Sequence, residues 1–236
     1  MTWSIIARDA STGELAIAVA TQFLAVGSRV PFISAGVGAV ATQALLNPFY
    51  GVNGLRYLSE GQAPDAVIAR LTADDAGRDH RQVHMIDAAG RITAHTGSAC
   101  LDWCGHLQGD GFSIAGNILA GPQVIEETAK AFIKGGSLPL PRRLIAAMQA
   151  GEAAGGDRRG RQSAALLIHG QEQWSDLDLR VDDHPDPLSE LERLEEVSRK
   201  HWVHFRQFLP DHTDPTGVTD RQIIEAGIAR GRSAKM

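Results

Sequence analysis

The chain has 236 residues, of which 43% are hydrophobic and 22% charged, and its formal net charge at pH 7 is −5. This composition excludes intrinsic disorder, and the negative charge argues against a dedicated nucleic-acid-binding protein. No stretch approaches the roughly 18 uncharged apolar residues of a membrane span, and the first residues lack the pattern of a signal peptide. We therefore expect a cytoplasmic protein that contacts neither membrane nor nucleic acid and whose partners are small molecules or proteins.

The N-terminal part of the chain predicts three strands followed by a pair of helices. Its β-forming apolar runs are at 3–9, 14–20 and 37–43. Turn residues separate the first two runs, which therefore predict a hairpin, whereas residues 31–36 are predicted to be a connection. Apolar residues at helical spacing around Leu55 and Leu71 predict the two helices.

The rest of the chain predicts strand pairs that alternate with helices. The strand pairs are at 81–87 with 91–95, within 105–117, and at 163–169 with 174–181. The helices are at 122–134, 139–152, 185–209 and 220–229. This order indicates antiparallel sheets covered by helical layers rather than a doubly wound parallel fold. Residues 1–210 are predicted to form one domain, and residues 211–236 a C-terminal extension with a short helix.

Thr2, directly before the first predicted strand, is the first candidate catalytic residue. Removal of Met1 would give Thr2 a free α-amino group with a pKa of roughly 8. One residue would then carry both a nucleophile and its base. Arg29 follows the second strand and is a candidate for lowering the pKa of the nucleophile or for holding an oxyanion. The alternative is that a hydroxyl residue before a strand has no chemical role.

Residues 155–163 form the most unusual loop of the sequence, with three glycines and three arginines. Guanidinium groups bind carboxylates or phosphates in a bidentate way, and glycines let backbone amides approach a ligand closely. We therefore expect Asp157, Arg158 and Arg161 to contribute to substrate binding. The alternative is an exposed basic turn whose arginines pair with surface acids.

Asp182, Asp183 and His184 follow a predicted strand and are candidate ligands of a divalent cation. Neighbouring strand residues point to opposite faces, so a strand-to-helix turn with Asp186 as the helix cap is the favoured interpretation. We predict neither a metal nor another cofactor.

Uncharged polar residues near predicted strand ends, together with one histidine, are further candidates for substrate binding. They are Gln22, Gln43, Asn47, His95 and Asn117. Capping of loops is the alternative role for such residues.

Segments spread over most of the chain, to about Leu209, resemble the bacterial domain-of-unknown-function family 1028. They are residues 2–9, 36–43, 95–98, 116–121, 155–163 and 178–185. That family is assigned to the N-terminal-nucleophile hydrolase-like superfamily. The resemblance therefore implies an α+β fold, a four-layer α-β-β-α sandwich of two antiparallel sheets packed face to face.

The start of the chain also resembles the proteasome-type peptidase subunits. This resemblance implies that Thr2 is nucleophile and base and that Arg29 stands where those enzymes use Lys. Arg cannot release a proton as Lys can, and the acidic residue that those enzymes keep near the end of strand two has no counterpart at 18–22. The resemblance therefore transfers the fold better than the chemistry.

These observations lead to a hydrolase of amide or peptide-like bonds, in which Arg29 or a backbone amide at 36–38 stabilises the oxyanion. We expect a small-molecule or short peptide-like substrate and a homo-oligomer, a dimer. One alternative is a non-catalytic small-molecule-binding or assembly protein on the same fold. Another is a metal-assisted enzyme that uses Asp182, Asp183 and His184.

Overall fold

The structure is a computed structural model that describes residues 2–233, and within them it contains ten strands and seven α-helices. The strands are β1 (Thr2–Arg8), β2 (Leu15–Thr21), β3 (Pro31–Ser34), β4 (Gly38–Ala44), β5 (Arg81–Asp87), β6 (Ile92–Thr96), β7 (Trp103–Gly109), β8 (Phe112–Leu119), β9 (Ser163–His169) and β10 (Leu177–Val181). The helices are α1 (Pro48–Ser59), α2 (Pro64–Ala73), α3 (Gln123–Lys134), α4 (Leu140–Ala153), α5 (Pro187–Ser198), α6 (Trp202–Phe205) and α7 (Arg221–Ser233). None of these helices is both long and apolar enough to cross a membrane.

The chain divides into two compact units, one that ends at Leu191 and one that begins at Glu192. All ten strands lie in the first unit, in two antiparallel sheets with the orders β10-β9-β2-β1-β8-β7 and β3-β4-β5-β6. Helices α3 and α4 contact the larger sheet, α1 and α2 contact the smaller one, and strands of the two sheets contact each other. The predicted α+β class with antiparallel sheets is confirmed.

The layer between the two sheets changes from apolar to polar along β1. Because side chains alternate along a strand, Ile6 faces this layer and packs with Ile17 and Ile86 in a fully buried apolar cluster. Two and four residues earlier on the same face of β1 come Ser4 and Thr2. Burial of each isoleucine at the apolar end stabilises the fold by about 1.5–3 kcal/mol. The polar end contains the candidate site.

Two predictions of secondary structure were wrong. Residues 31–36 contain β3, an edge strand that starts with Pro31, a residue tolerated there because the strand needs no donor at its outer side. The helix predicted at 185–209 is interrupted between α5 and α6. Ser198 donates its hydroxyl to the carbonyl of Glu195 (2.7 Å), and His201 has φ −146° and ψ −59°, outside the helical region.

Candidate functional site

A cavity of about 300 Å³ lies at the polar end of the inter-sheet layer. Antiparallel pairing brings the start of β1 beside the end of β2, and the end of β4 faces them from the smaller sheet. The described residues that line the cavity are Thr2, Thr21, Phe23, Val26, Arg29, Val30, Gln43, Ala44, Leu45 and Leu46. Three of the sequence-predicted residues, Thr2, Arg29 and Gln43, are thus brought to one cavity.

Thr2 is held at the cavity wall by its side chain and by its backbone. Its Oγ1 donates to Oγ1 of Thr21 (3.2 Å), and only 8% of the residue is exposed. Its carbonyl oxygen accepts from Nε2 of Gln43 and from Nδ2 of Asn117, each at 3.3 Å. Amide donors from both sheets therefore fix the position of Thr2.

The amide of Gln43 joins Thr2 to a fully buried polar cluster of Ser4, His84 and Ser113. Ser4 Oγ donates to Oε1 of Gln43 (2.7 Å) and lies 2.8 Å from Nε2 of His84. The other ring nitrogen, Nδ1, lies 3.0 Å from Oγ of Ser113. Ser4 has one proton, and assigning it to Gln43 makes His84 a donor at Nε2 and an acceptor at Nδ1.

Burial argues against Ser4 and His84 as a nucleophile and its base, because both are 0% exposed and neither can reach a substrate. A base would also have to accept the proton of Ser4, and that proton is assigned to Oε1 of Gln43. Burial lowers the pKa of His84 to about 3, with a smaller contribution from the nearby His106, so the ring is neutral at physiological pH. The cluster is therefore structural support beneath Thr2.

A second arm of the network runs through Gln82. Its Oε1 accepts from Nε2 of Gln43 (2.8 Å) and from Nδ2 of Asn117 (3.0 Å), while its own Nε2 donates to the carbonyl of Gly116 (2.8 Å). The same amide donates to Thr96 Oγ1 (3.0 Å). The side-chain nitrogens of Gln43 and Gln82 each have three acceptors for two hydrogens, so every hydrogen of these two groups has a partner, as a stabilising buried polar network requires.

The loop that forms the outer cavity wall is pinned by residues far along the chain. The carboxylate of Asp157 accepts from the backbone N–H of Gln22 (2.8 Å), and Ser163 Oγ accepts from that of Val26 (3.1 Å) and donates to the carbonyl of Phe23. Ala44, on the opposite wall, has φ +68°, a strained value for a residue with a Cβ atom.

The arginine-rich loop is engaged in ion pairs. Each guanidinium faces a carboxylate: Arg158 with Asp102 (3.5 Å), Arg159 with Asp157 (3.4 Å), and Arg161 with Glu152 (3.3 Å) and Asp186 (3.5 Å). The Asp157 side chain is fully buried beneath the loop that it holds. None of the loop residues is among the described lining residues of the cavity.

Three other candidates are not among the described lining residues of the cavity. Asn47 caps α1 by accepting from the N–H of Phe49 (3.1 Å) and donates to Asp75 (3.1 Å). His95 donates to the carbonyl of Arg78 (3.1 Å). Gln22 is half-buried beside the cavity and contributes its backbone N–H to Asp157.

The three proposed metal ligands have separate partners. Asp182 pairs with Arg180 (2.9 Å), Asp183 accepts from Gln162 (3.1 Å), and Nδ1 of His184 accepts from the N–H of Asp186 (3.0 Å). Within residues 2–233 their ligand atoms do not converge on one point. The arrangement is that of the strand-to-helix turn favoured above.

The backbone amides at 36–38 lie at the wrong end of β4 to stabilise an oxyanion at Thr2. Gly38 pairs with Asp87, whereas the cavity residue Gln43 pairs with Gln82. Five residues of strand separate the two positions by about 17 Å. The suggestion that these amides form an oxyanion hole was therefore wrong.

Sequence reasoning missed Ser4, Gln82, His84 and Ser113. The alternation in Gln82–Val83–His84–Met85 is typical of a strand with one exposed face, yet both polar residues are 0% exposed because the larger sheet covers that face. Two polar residues that are two positions apart in one strand indicate a polar strand face, but this alternation does not distinguish a face that meets water from one that meets a second sheet.

Comparison with known proteins identifies the family. Residues 2–191 match the model of the "Family of unknown function (DUF1028)". The crystal structure of protein SPO2555 from Silicibacter pomeroyi, described under the same family model, is 33% identical, covers 93% of this chain and 96% of its own, and has a TM-score of 0.85. Anbu (ancestral beta-subunit) from Yersinia bercovieri is 11% identical, with 83% and 96% coverage and a TM-score of 0.42. A comparison with curated proteins gives no match. The chain belongs to the family of unknown function DUF1028.

Proposed function

We propose that this protein hydrolyses a small amide or peptide-like bond with Thr2 as an N-terminal nucleophile, on a four-layer sandwich of the N-terminal-nucleophile type. The observation that carries the proposal is the place of Thr2 at the start of β1, with its side chain in the lining of the cavity. Met1 lies outside the residues that the structure describes. The proposal requires that Met1 is removed.

In the proposed reaction Thr2 supplies both the nucleophile, its hydroxyl group, and the base, its α-amino group. Thr2 Oγ1 forms a bond to the carbonyl carbon of the substrate, and its proton passes to the α-amino group of Thr2. The C–N bond of the substrate then breaks, and the departing amine takes that proton, which leaves an ester on Thr2. Water attacks this ester, gives a proton to the amine and releases the acid, while Thr2 Oγ1 recovers its proton.

The surroundings of Thr2 suit this role. The bonds from Gln43 and Asn117 to its carbonyl hold the residue in one position, which favours an aligned attack. Thr21 provides a partner for the hydroxyl in the resting state. Arg29 brings positive charge to the cavity and stabilises negative charge bound there.

The test combines N-terminal sequencing with amide hydrolysis. Protein from the native host is separated into fractions with and without Met1, and each is assayed against a panel of small amides and dipeptides. We expect hydrolysis only in the fraction that begins with Thr2. Thr2→Ala is expected to reduce the rate by at least ~10³-fold, Thr2→Ser to retain activity, and the exposed-turn control Thr12→Ala to match the wild type.

A non-catalytic binding protein is the second candidate, and a specific observation favours it. The described cavity lining contains no Asp, Glu, His or Lys side chain, so a base would be missing as long as the α-amino group of Thr2 is blocked. Quantitative retention of Met1 in the native host, together with equal ligand binding by wild type and Thr2→Ala, would establish this alternative. The homodimer stays a prediction, which light scattering of the purified protein can test.

A further inference from the structure

Arg29 differs from the other arginines around the site because its guanidinium has no acidic partner. Within residues 2–233 its side chain makes neither an ion pair nor a hydrogen bond, and its one contact of note is with the ring of Phe23, whose centroid lies 5.8 Å from Cζ. Arg158, Arg159 and Arg161 are all paired with carboxylates. In a chain with a net charge of −5, an arginine kept apart from acids can bind an external anion.

Most of the cavity lining beside Arg29 is apolar. Six of its ten described lining residues have aliphatic or aromatic side chains: Phe23, Val26, Val30, Ala44, Leu45 and Leu46. Phe23 and Leu45 are more than half exposed, an arrangement that leaves apolar surface uncovered at the opening. The volume of about 300 Å³ is at the small end of ligand sites. An occupant would therefore be short and largely aliphatic.

We infer that the cavity selects small molecules with an aliphatic body and a free carboxylate, and that Arg29 binds this carboxylate. The inference rests on the proposed function and narrows its substrate class to short amides that carry a terminal carboxylate, such as N-acyl amino acids and dipeptides. The aliphatic part packs against Val26, Val30 and Leu46, and the guanidinium lies at the rim, where it is hydrated and open to an entering anion.

The position of Arg29 favours recognition of the substrate over a direct role in bond cleavage. Its side chain makes no hydrogen bond to Thr2, and the residue is exposed, whereas oxyanion stabilisation is strongest where water is excluded. A single rim guanidinium also fits a carboxylate better than a phosphate dianion, which is bound by several donors in typical sites. A cationic ligand is disfavoured by like charge.

The inference is tested by calorimetric titration of three six-carbon probes, namely hexanoate, hexanol and hexylamine. The full-length Thr2→Ala variant is used, so that a protein without hydrolytic activity can still support the inference. We expect hexanoate to bind at least tenfold more tightly than either other probe, and its affinity to fall as salt is raised. Arg29→Gln should remove this preference while leaving hexanol binding unchanged.

Arg56→Gln is the matched control, since it neutralises an exposed arginine that pairs with Glu60 and lies outside the cavity lining. It should leave the affinity for hexanoate unchanged. Equal affinity for hexanoate and hexanol, no detectable hexanoate binding, or equal losses in Arg29→Gln and Arg56→Gln would overturn the inference. In the active enzyme, Arg29→Gln should raise KM for carboxylate-bearing amides with little change in kcat, whereas an equal fall in kcat for neutral amides would assign Arg29 to the chemistry instead.

Discussion

Replacing His84 with glutamine tests the buried polar layer through the pH dependence of folding. Burial lowers the pKa of His84 from 6.5 to about 3 in the folded protein. Below pH 6.5, His84 therefore binds a proton in the unfolded chain but not in the folded protein. The free energy of unfolding decreases as the pH falls from 6.5 towards 3. The full difference in pKa corresponds to about 5 kcal/mol at about 1.4 kcal/mol per pH unit.

Over the accessible range from pH 6 to pH 4, His84 alone should reduce the free energy of unfolding by about 2.5 kcal/mol. Glutamine can donate to Ser4 and accept from Ser113 as the ring does, but it does not titrate. The stability of His84→Gln should therefore fall less than that of the wild type as the pH is lowered. The difference between the two proteins isolates the effect of His84, because all other titrating groups are common to both.

Urea unfolding followed by circular dichroism at several pH values provides the measurement. His80→Gln is the control, since that ring is exposed in the folded protein and is hydrated in both states. Parallel stability profiles for wild type and His84→Gln between pH 6 and 4 would refute the assignment of His84 as a buried neutral ring.

Two further substitutions test the backbone and side-chain positions around Thr2. Asn117→Asp places a carboxylate against the carbonyl of Thr2 and Oε1 of Gln82, and we expect it to cost ~3–5 kcal/mol of unfolding free energy at pH 7, more than Asn117→Ala. A loss of unfolding free energy no larger than that of Asn117→Ala would contradict the hydrogen bonds assigned to Asn117. Ala44→Gly relieves the strained positive φ of Ala44, so we expect the free energy of unfolding to rise or to fall by less than ~1 kcal/mol. Ala41→Gly, in the same buried strand, should lower it by at least ~1 kcal/mol. Thermal and urea unfolding measure both effects.

Hydrophobic periodicity sufficed to predict most of the strands and helices. The ends of the predicted strands then pointed to Thr2, Arg29 and Gln43, which all line the cavity. The hairpin of β1 and β2 necessarily brings Thr2 beside Thr21, and Arg29 follows within a short loop. The polar inter-sheet layer could not be predicted, because nothing within β5 tells whether its polar face meets water or another sheet. The pairing of Arg161 likewise depends on Glu152 and Asp186, which only the folded chain brings together.

The pinning of the cavity wall by Asp157 and Ser163 has a consequence for the order of events during synthesis. The backbone of residues 22–26 depends on partners 135 and 137 positions downstream. We therefore expect this wall to be completed only after residues 157–169 have been synthesised and β9 has paired with β2. Because only 8% of Thr2 is exposed in the folded protein, we expect an enzyme that removes Met1 to act most readily before this step.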